Sequence, residues 1–196
     1  MQRFHKNNVN VPEFSDEQFD KVWQRRMHTD QERFDLLAKY FEGGRYLDIG
    51  CFNSPKPSQL VEQYPDSEIV ALDHGPRLIQ SLSERFPKVK YIQGNCLALP
   101  FEDGYFDYVV AGEIIEHMDS PKDLIKEGMR VLKPGGYFAL STPKEETISQ
   151  KNIGGEQHQW IFFEKDIRDL LEPYGELELQ EQNDGAIIFI AWCKKN

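Results

Sequence analysis

Glu113, Glu116 and His117 stand at positions i, i+3 and i+4, and His158 follows in a distant polar stretch. On a helix the first three would share one face. Two carboxylates and an imidazole, joined by a second imidazole from a loop, form a candidate octahedral site for Mg²⁺ or Mn²⁺, the imidazoles favouring the softer ion. Without a metal, His117, His158 or Glu113 could take the proton of a bound hydroxyl. The same residues also admit a structural reading, with Glu116 solvated and His117 packed against the next helix.

A second constellation is acidic and sits at predicted strand ends. Asp48 precedes Gly50 and Cys51, and Asp73 stands 25 residues beyond Asp48. A carboxylate at that spacing from a glycine turn can bind ribose hydroxyls, while the glycine admits a ligand close to the backbone. His74 adjoins Asp73, and Asn95 and Cys96 lie just past a third strand, so successive strand ends offer contacts to one nucleoside-like ligand. Each residue has a structural alternative. Asp can cap the following helix, Asn can form a turn, and Cys can serve as a small buried hydrophobe.

The elements that position these groups follow from periodicity and breakers. Capping-box spacing at Ser15/Gln18 and Thr29/Glu32 predicts a helix to about residue 27 and another ending at Gly43-Gly44. The apolar run 46–49 is the first strand, and Ser54-Pro55 begins a helix over 56–64. Strand 68–72, helix 76–86 and strand 89–92 follow, then a loop over 93–105 and a strand over 106–111. Ser120-Pro121 opens a helix to about 132, and Lys133-Pro134-Gly135-Gly136 separates it from a strand over 137–141. The polar stretch 142–159 is long enough to be functional. Residues 1–30 and 142–160 are a candidate lid. A helix over 164–171 precedes strands 177–181 and 186–192, paired as a hairpin. Such alternation specifies an α/β three-layer sandwich with a mostly parallel sheet. The chain reads as one domain, 1–196, with a helical cap over 1–42 and a Rossmann-like core over 43–196.

The chain has 196 residues, 39% hydrophobic, with a formal net charge of −10. Such an acidic balance disfavours a phosphate-tracking nucleic-acid surface, which would gather Lys and Arg. Cys51, Cys96 and Cys193 lack metal-finger spacing and are odd in number, which points to a reducing, cytoplasmic setting. The longest apolar run, Ala186–Cys193, is far too short to span a membrane.

The segments LDIGCFNS, VALDHG, IQGNCLALPF, FDYVVAGEIIEH and VLKPGGYFALSTP occur in this order within residues 44–193. Through them the chain resembles a class I S-adenosylmethionine-dependent methyltransferase, in particular the ubiquinone-biosynthesis type small-molecule branch. The resemblance implies a seven-stranded sheet in the order 3-2-1-4-5-7-6 with the last strand antiparallel. It implies S-adenosylmethionine as cofactor, with Asp48 and Gly50 at its methionine end, Asp73 at the ribose hydroxyls and Asn95 and Cys96 at the adenine; Cys51, His74 at the cofactor's edge, and Glu113 complete the expected cofactor-binding set. Phe52 and Ser54 replace two further glycines of the family turn. The Glu-x-x-Glu-His pattern resembles the metal site of small-RNA 2′-O-methyltransferases and of quinone-type O-methyltransferases. The expected activity is methyl transfer to an oxygen of a small-molecule acceptor. The alternatives are a non-catalytic binder of the same cofactor and a metal-dependent RNA 2′-O-methyltransferase. An NAD-type dinucleotide fold is a further rival, but its GxGxxG is absent.

Overall fold

The computed structural model describes residues 2–3, 30–144, 158–183 and 187–196. The expected helix over 15–27, Thr29, most of the polar stretch after Pro143 and the centre of the hairpin turn lie outside them.

Seven strands form the central sheet: β1 Arg45–Ile49, β2 Glu68–Asp73, β3 Lys90–Gln93, β4 Phe106–Gly112, β5 Leu132–Pro143, β6 Gly175–Asn183 and β7 Ile187–Lys195. Their order is 3-2-1-4-5-7-6, as the resemblance implied. β1 to β5 pair in parallel, while β7 runs antiparallel to both β5 and β6. Parallel strands covered on both faces read as continuous apolar runs, and Tyr46 to Ile49 are all buried.

Helices α1 Gln31–Leu37, α2 Lys56–Gln63 and α3 Pro76–Arg85 cover one face with Leu37, Leu60 and Leu82. Helices α4 Pro121–Val131 and α5 Glu164–Leu171 cover the other with Leu124, Ile125, Ile167 and Leu171. Proline opens α3 and α4, where its missing N–H is harmless. α1 is fastened to the sheet by Tyr108 and Trp192, whose side chains donate to the carbonyls of Leu37 and Leu36 at 2.8 and 2.9 Å. Gln2–Arg3 pairs antiparallel with Trp160–Ile161 outside this sheet. No helix among the described residues is long and apolar enough to cross a membrane.

One boundary differs from expectation. Lys133-Pro134-Gly135-Gly136 does not separate α4 from the next strand but bulges within β5, whose pairing passes from Phe106↔Leu132 to Tyr108↔Tyr137. Leu132 turns extended immediately after Val131, and Gly135 takes a positive φ of 78° inside the bulge.

Candidate active site

The carboxyl ends of β1 to β4 meet along one edge, where open α/β sheets bind ligands. Asp48 and Asp73 are both buried there. The N–H groups of Gly50 and Cys51 donate to the Leu72 carbonyl at 2.8 and 3.1 Å, tying the β1 turn to β2. Asp73 reinforces the tie. Its Oδ2 accepts the Phe52 N–H and its Oδ1 the Gly75 N–H, each at 3.0 Å. This carboxylate therefore shapes the turn as well as facing the crevice, and its removal would disturb both. His74 projects to solvent with Nδ1 3.3 Å from Asp73.

The turn follows the glycine conformation without the glycines. Phe52 holds φ at 40°, in the left-handed region that costs a side chain roughly 1–2 kcal/mol. Gly50 is also left-handed, at 69°, but the room above it is taken by protein: a Cβ there would stand 2.2 Å from Ile114 Cδ1. Gly50 thus serves packing against the β4 edge rather than ligand approach alone. A cavity of about 30 Å³ opens beside it between Phe34 and Leu37 of α1, Asp48 of β1, Ser54 of the turn and Lys56 at the start of α2.

At the β3 end, Asn95 Oδ1 accepts the Leu97 N–H at 2.9 Å, and Cys96 Sγ lies 3.3 Å from Met118 Sδ. These are the turn-forming and packing contacts of the structural alternative. Burial pushes the Cys96 thiol up to about 11, so it rests as a neutral thiol.

Beyond β4 the structure corrects the helical reading of Glu113, Glu116 and His117. Glu113 sits in a left-handed turn with φ 52°, its N–H bonded to the Ser141 carbonyl at 3.0 Å, and only Ile115–His117 form a single 3₁₀ turn. Glu113 Oε2 instead lies 3.8 Å from Arg33 Nη1 of α1. The remaining three converge: ligand atoms of Glu116, His117 and His158 lie within 4.8 Å of one another. The His117 and His158 rings meet edge to face, with centroids 4.7 Å apart.

Glu116 is not solvated, having 1% of its surface exposed. Its Oε2 accepts the Thr142 hydroxyl at 3.1 Å, whereas Oε1, buried and 3.9 Å from His117 Nε2, has no hydrogen-bond partner. Burial, reinforced by the Glu113 charge, raises this carboxyl well above the usual range. His158 Nδ1 is likewise buried without a partner, and burial beside His117 lowers its imidazole to about 4. A carboxylate oxygen and an imidazole nitrogen, both buried without hydrogen-bond partners in a cluster of three ligand-forming side chains, are what a divalent ion would satisfy.

His158 reaches this point through a clasp. The Gln159 N–H donates to the Glu116 carbonyl at 2.7 Å, Gln159 Nε2 to the His117 carbonyl at 2.9 Å, and Trp160 Nε1 to the Met118 carbonyl at 2.6 Å. Thr142, Gln159, Arg33 and Lys56 were invisible as site residues in the sequence. Polar side chains read as solvated until the fold buries them, and only Gln159, beside His158, stood near a marked position.

Residues 47–140 match the family described as "Methyltransferase domain". The chain is 30% identical over 139 residues to a probable S-adenosylmethionine-dependent methyltransferase of Mycolicibacterium smegmatis, covering 71% of this chain and 51% of that protein. It is 30% identical over 142 residues to a demethylmenaquinone methyltransferase of a Geobacillus species, covering 69% and 57%. The chain thus spans about half the length of these curated relatives. A solved S-adenosylmethionine-dependent methyltransferase from Aquifex aeolicus superposes with a TM-score of 0.68 at 17% identity, over 94% of this chain and all of that one.

Proposed function

We propose, from the match of residues 47–140 to a methyltransferase domain, that this chain is a class I S-adenosylmethionine-dependent methyltransferase and transfers the sulfonium methyl group to an oxygen of a small-molecule acceptor. In this reading Asp73, whose carboxylate retains lone pairs beyond those engaged by Phe52 and Gly75, accepts the ribose hydroxyls. Arg33 and Glu113, facing each other at 3.8 Å, offer one cation and one anion to the zwitterionic methionine end. Asn95 and Cys96 border the adenine. The acceptor hydroxyl gives its proton to water and its oxygen attacks the methyl carbon in line as the carbon–sulfur bond breaks, leaving S-adenosylhomocysteine. Catalysis then rests largely on holding the acceptor behind the methyl group.

The observation that carries the choice of oxygen is the buried Glu116 carboxylate with its open Oε1 beside two imidazoles. Glu116, His117 and His158 would hold Mn²⁺ or Mg²⁺, with Glu113 adding negative charge nearby. Such an ion supplies Lewis acidity that lowers the pKa of a bound hydroxyl. Trp160, Met118 and the exposed Phe163 give the acceptor an apolar wall suited to an aromatic ring. The net charge of −10 counts against a polyanionic RNA acceptor. The unpaired cysteines suit the cytoplasm.

The test supplies methyl-tritiated S-adenosylmethionine and a panel of hydroxylated aromatic acceptors, with Mn²⁺ or with EDTA. An O-methylated product whose formation stops in EDTA, while calorimetric affinity for S-adenosylhomocysteine stays within about twofold, is the expected result. Full turnover in EDTA would move the proton-accepting role to the His117 or His158 imidazole. An N-methylated product would reject oxygen as the acceptor atom. Asp73→Asn should weaken S-adenosylhomocysteine binding more than tenfold, about 1.4 kcal/mol; unchanged affinity would remove Asp73 from the ribose.

A further inference from the structure

Thr142 lies near the carboxyl end of β5, wholly buried, and its backbone is committed to pairing with Phe189 of β7. Branching at Cβ leaves few side-chain rotamers, and a hydroxyl buried there requires an acceptor. The acceptor is one oxygen of Glu116, which belongs to the separate 3₁₀ turn after β4. A donor on a rigid strand that holds Oε2 fixes the orientation of the carboxylate, and the oxygen left without a hydrogen-bond partner, Oε1, is the one facing His117.

We propose that Thr142 is a positioning residue for Glu116, its hydroxyl engaging Oε2 so that Oε1 is directed at the centre shared with His117 and His158. This rests on the reading of those three residues as a divalent-metal site. The other two members are aligned differently: the clasp of Gln159 and Trp160 fixes the backbone around His117 and His158. Glu116 also has its carbonyl held by Gln159, but its side chain depends on Thr142. Outer hydrogen bonds to metal-ligating carboxylates typically govern affinity by 10–100-fold. Thr142 is accordingly a residue of the site that touches neither metal nor substrate.

The experiment measures Mn²⁺ affinity by paramagnetic resonance on the full chain and on Thr142→Val and Thr142→Ser. S-adenosylhomocysteine affinity and the thermal midpoint are recorded in parallel. Valine keeps the shape and removes the hydroxyl; serine keeps the hydroxyl. Thr142→Val is expected to weaken Mn²⁺ binding about tenfold or more and to alter the visible absorption of the Co²⁺-loaded protein. Thr142→Ser should restore both to within about threefold of the parent, with nucleoside affinity unchanged throughout. Parent-like Mn²⁺ affinity in Thr142→Val overturns the inference while leaving the metal site standing. Equal losses in the valine and serine variants would overturn it too, marking a packing effect. A parent chain that binds no Mn²⁺ rejects the metal site itself, and this inference with it. Should Thr142→Val fail to fold, Thr142→Ala enters the same comparison against serine.

Discussion

Phe52 and Glu113 hold left-handed backbones, at φ 40° and 52°, just past the adjacent carboxyl ends of β1 and β4. Strain of this kind persists only where the surroundings impose it, and it clusters at functional sites. Phe52 is held by its N–H to Asp73 and Glu113 by its N–H to Ser141. Gly50→Ala should therefore destabilise the chain by about 1–3 kcal/mol, because the new Cβ strikes Ile114 at a positive φ. Phe52→Gly should stay within about 1 kcal/mol of the parent, relief of strain offsetting the greater freedom of the unfolded glycine. Urea midpoints would check both, and equal losses would contradict the distinction. Asp48 and Asp73 were legible from spacing because a strand end is marked by where apolar residues stop. What stands over Gly50 was not legible, since Ile114 comes from the turn after β4, 64 residues on. Glu113, Glu116 and His117 were singled out as neighbours in sequence. Their i, i+3, i+4 spacing could not reveal that Gly112 and a left-handed Glu113 delay the first turn, sending Glu113 toward Arg33 and Glu116 toward the imidazoles.

At the level of elements, the 158–160 segment and the 3₁₀ turn act as one piece through three donors bound to three consecutive carbonyls. Acid should loosen that piece. His158 titrates near 4 in the fold against 6.5 ordinarily, so between these values the unfolded chain binds more protons than the native one. Stability from this source is complete above about pH 6.5 and declines as the pH falls toward 4. Urea midpoints at about pH 7 and about pH 5 should separate less in His158→Asn than in the parent; an identical separation would exclude His158 as the cause. On the opposite bank α1 is latched to α2 and its approach by the Gln31–Gln59 amide pair and the Lys56–Asp35 ion pair at 2.7 Å. Because α1 borders the crevice, S-adenosylhomocysteine should raise amide protection over residues 31–41, measured by hydrogen exchange. Unchanged protection there would remove α1 from the closure. Boundaries set by proline and periodicity, such as α3 and α5, were read from sequence to within a residue. The Lys133–Gly136 breaker announced an interruption truly but could not say which element it interrupts, because pairing across Phe106 and Leu132 decides that.

For the whole molecule, the two apolar layers share the same strands, with Val109 facing one and Val110 the other. We take residues 1–196 as one cooperative unit on that basis, and expect circular dichroism and tryptophan fluorescence to report a single coincident unfolding transition. Separate midpoints would divide the cap from the core. The strand order was legible only through the family resemblance, since local patterns specify strands but not their neighbours. That order also bears on how the protein is made. β7 lies between β5 and β6, yet both are translated before it. While the ribosome is still adding residues 187–195, β5 shows an open edge and β6 has no partner in the sheet. A nascent chain that lacks β7 therefore carries unpaired strand edges on both of its partners, and a chaperone that shields such edges would matter most to its yield at that stage.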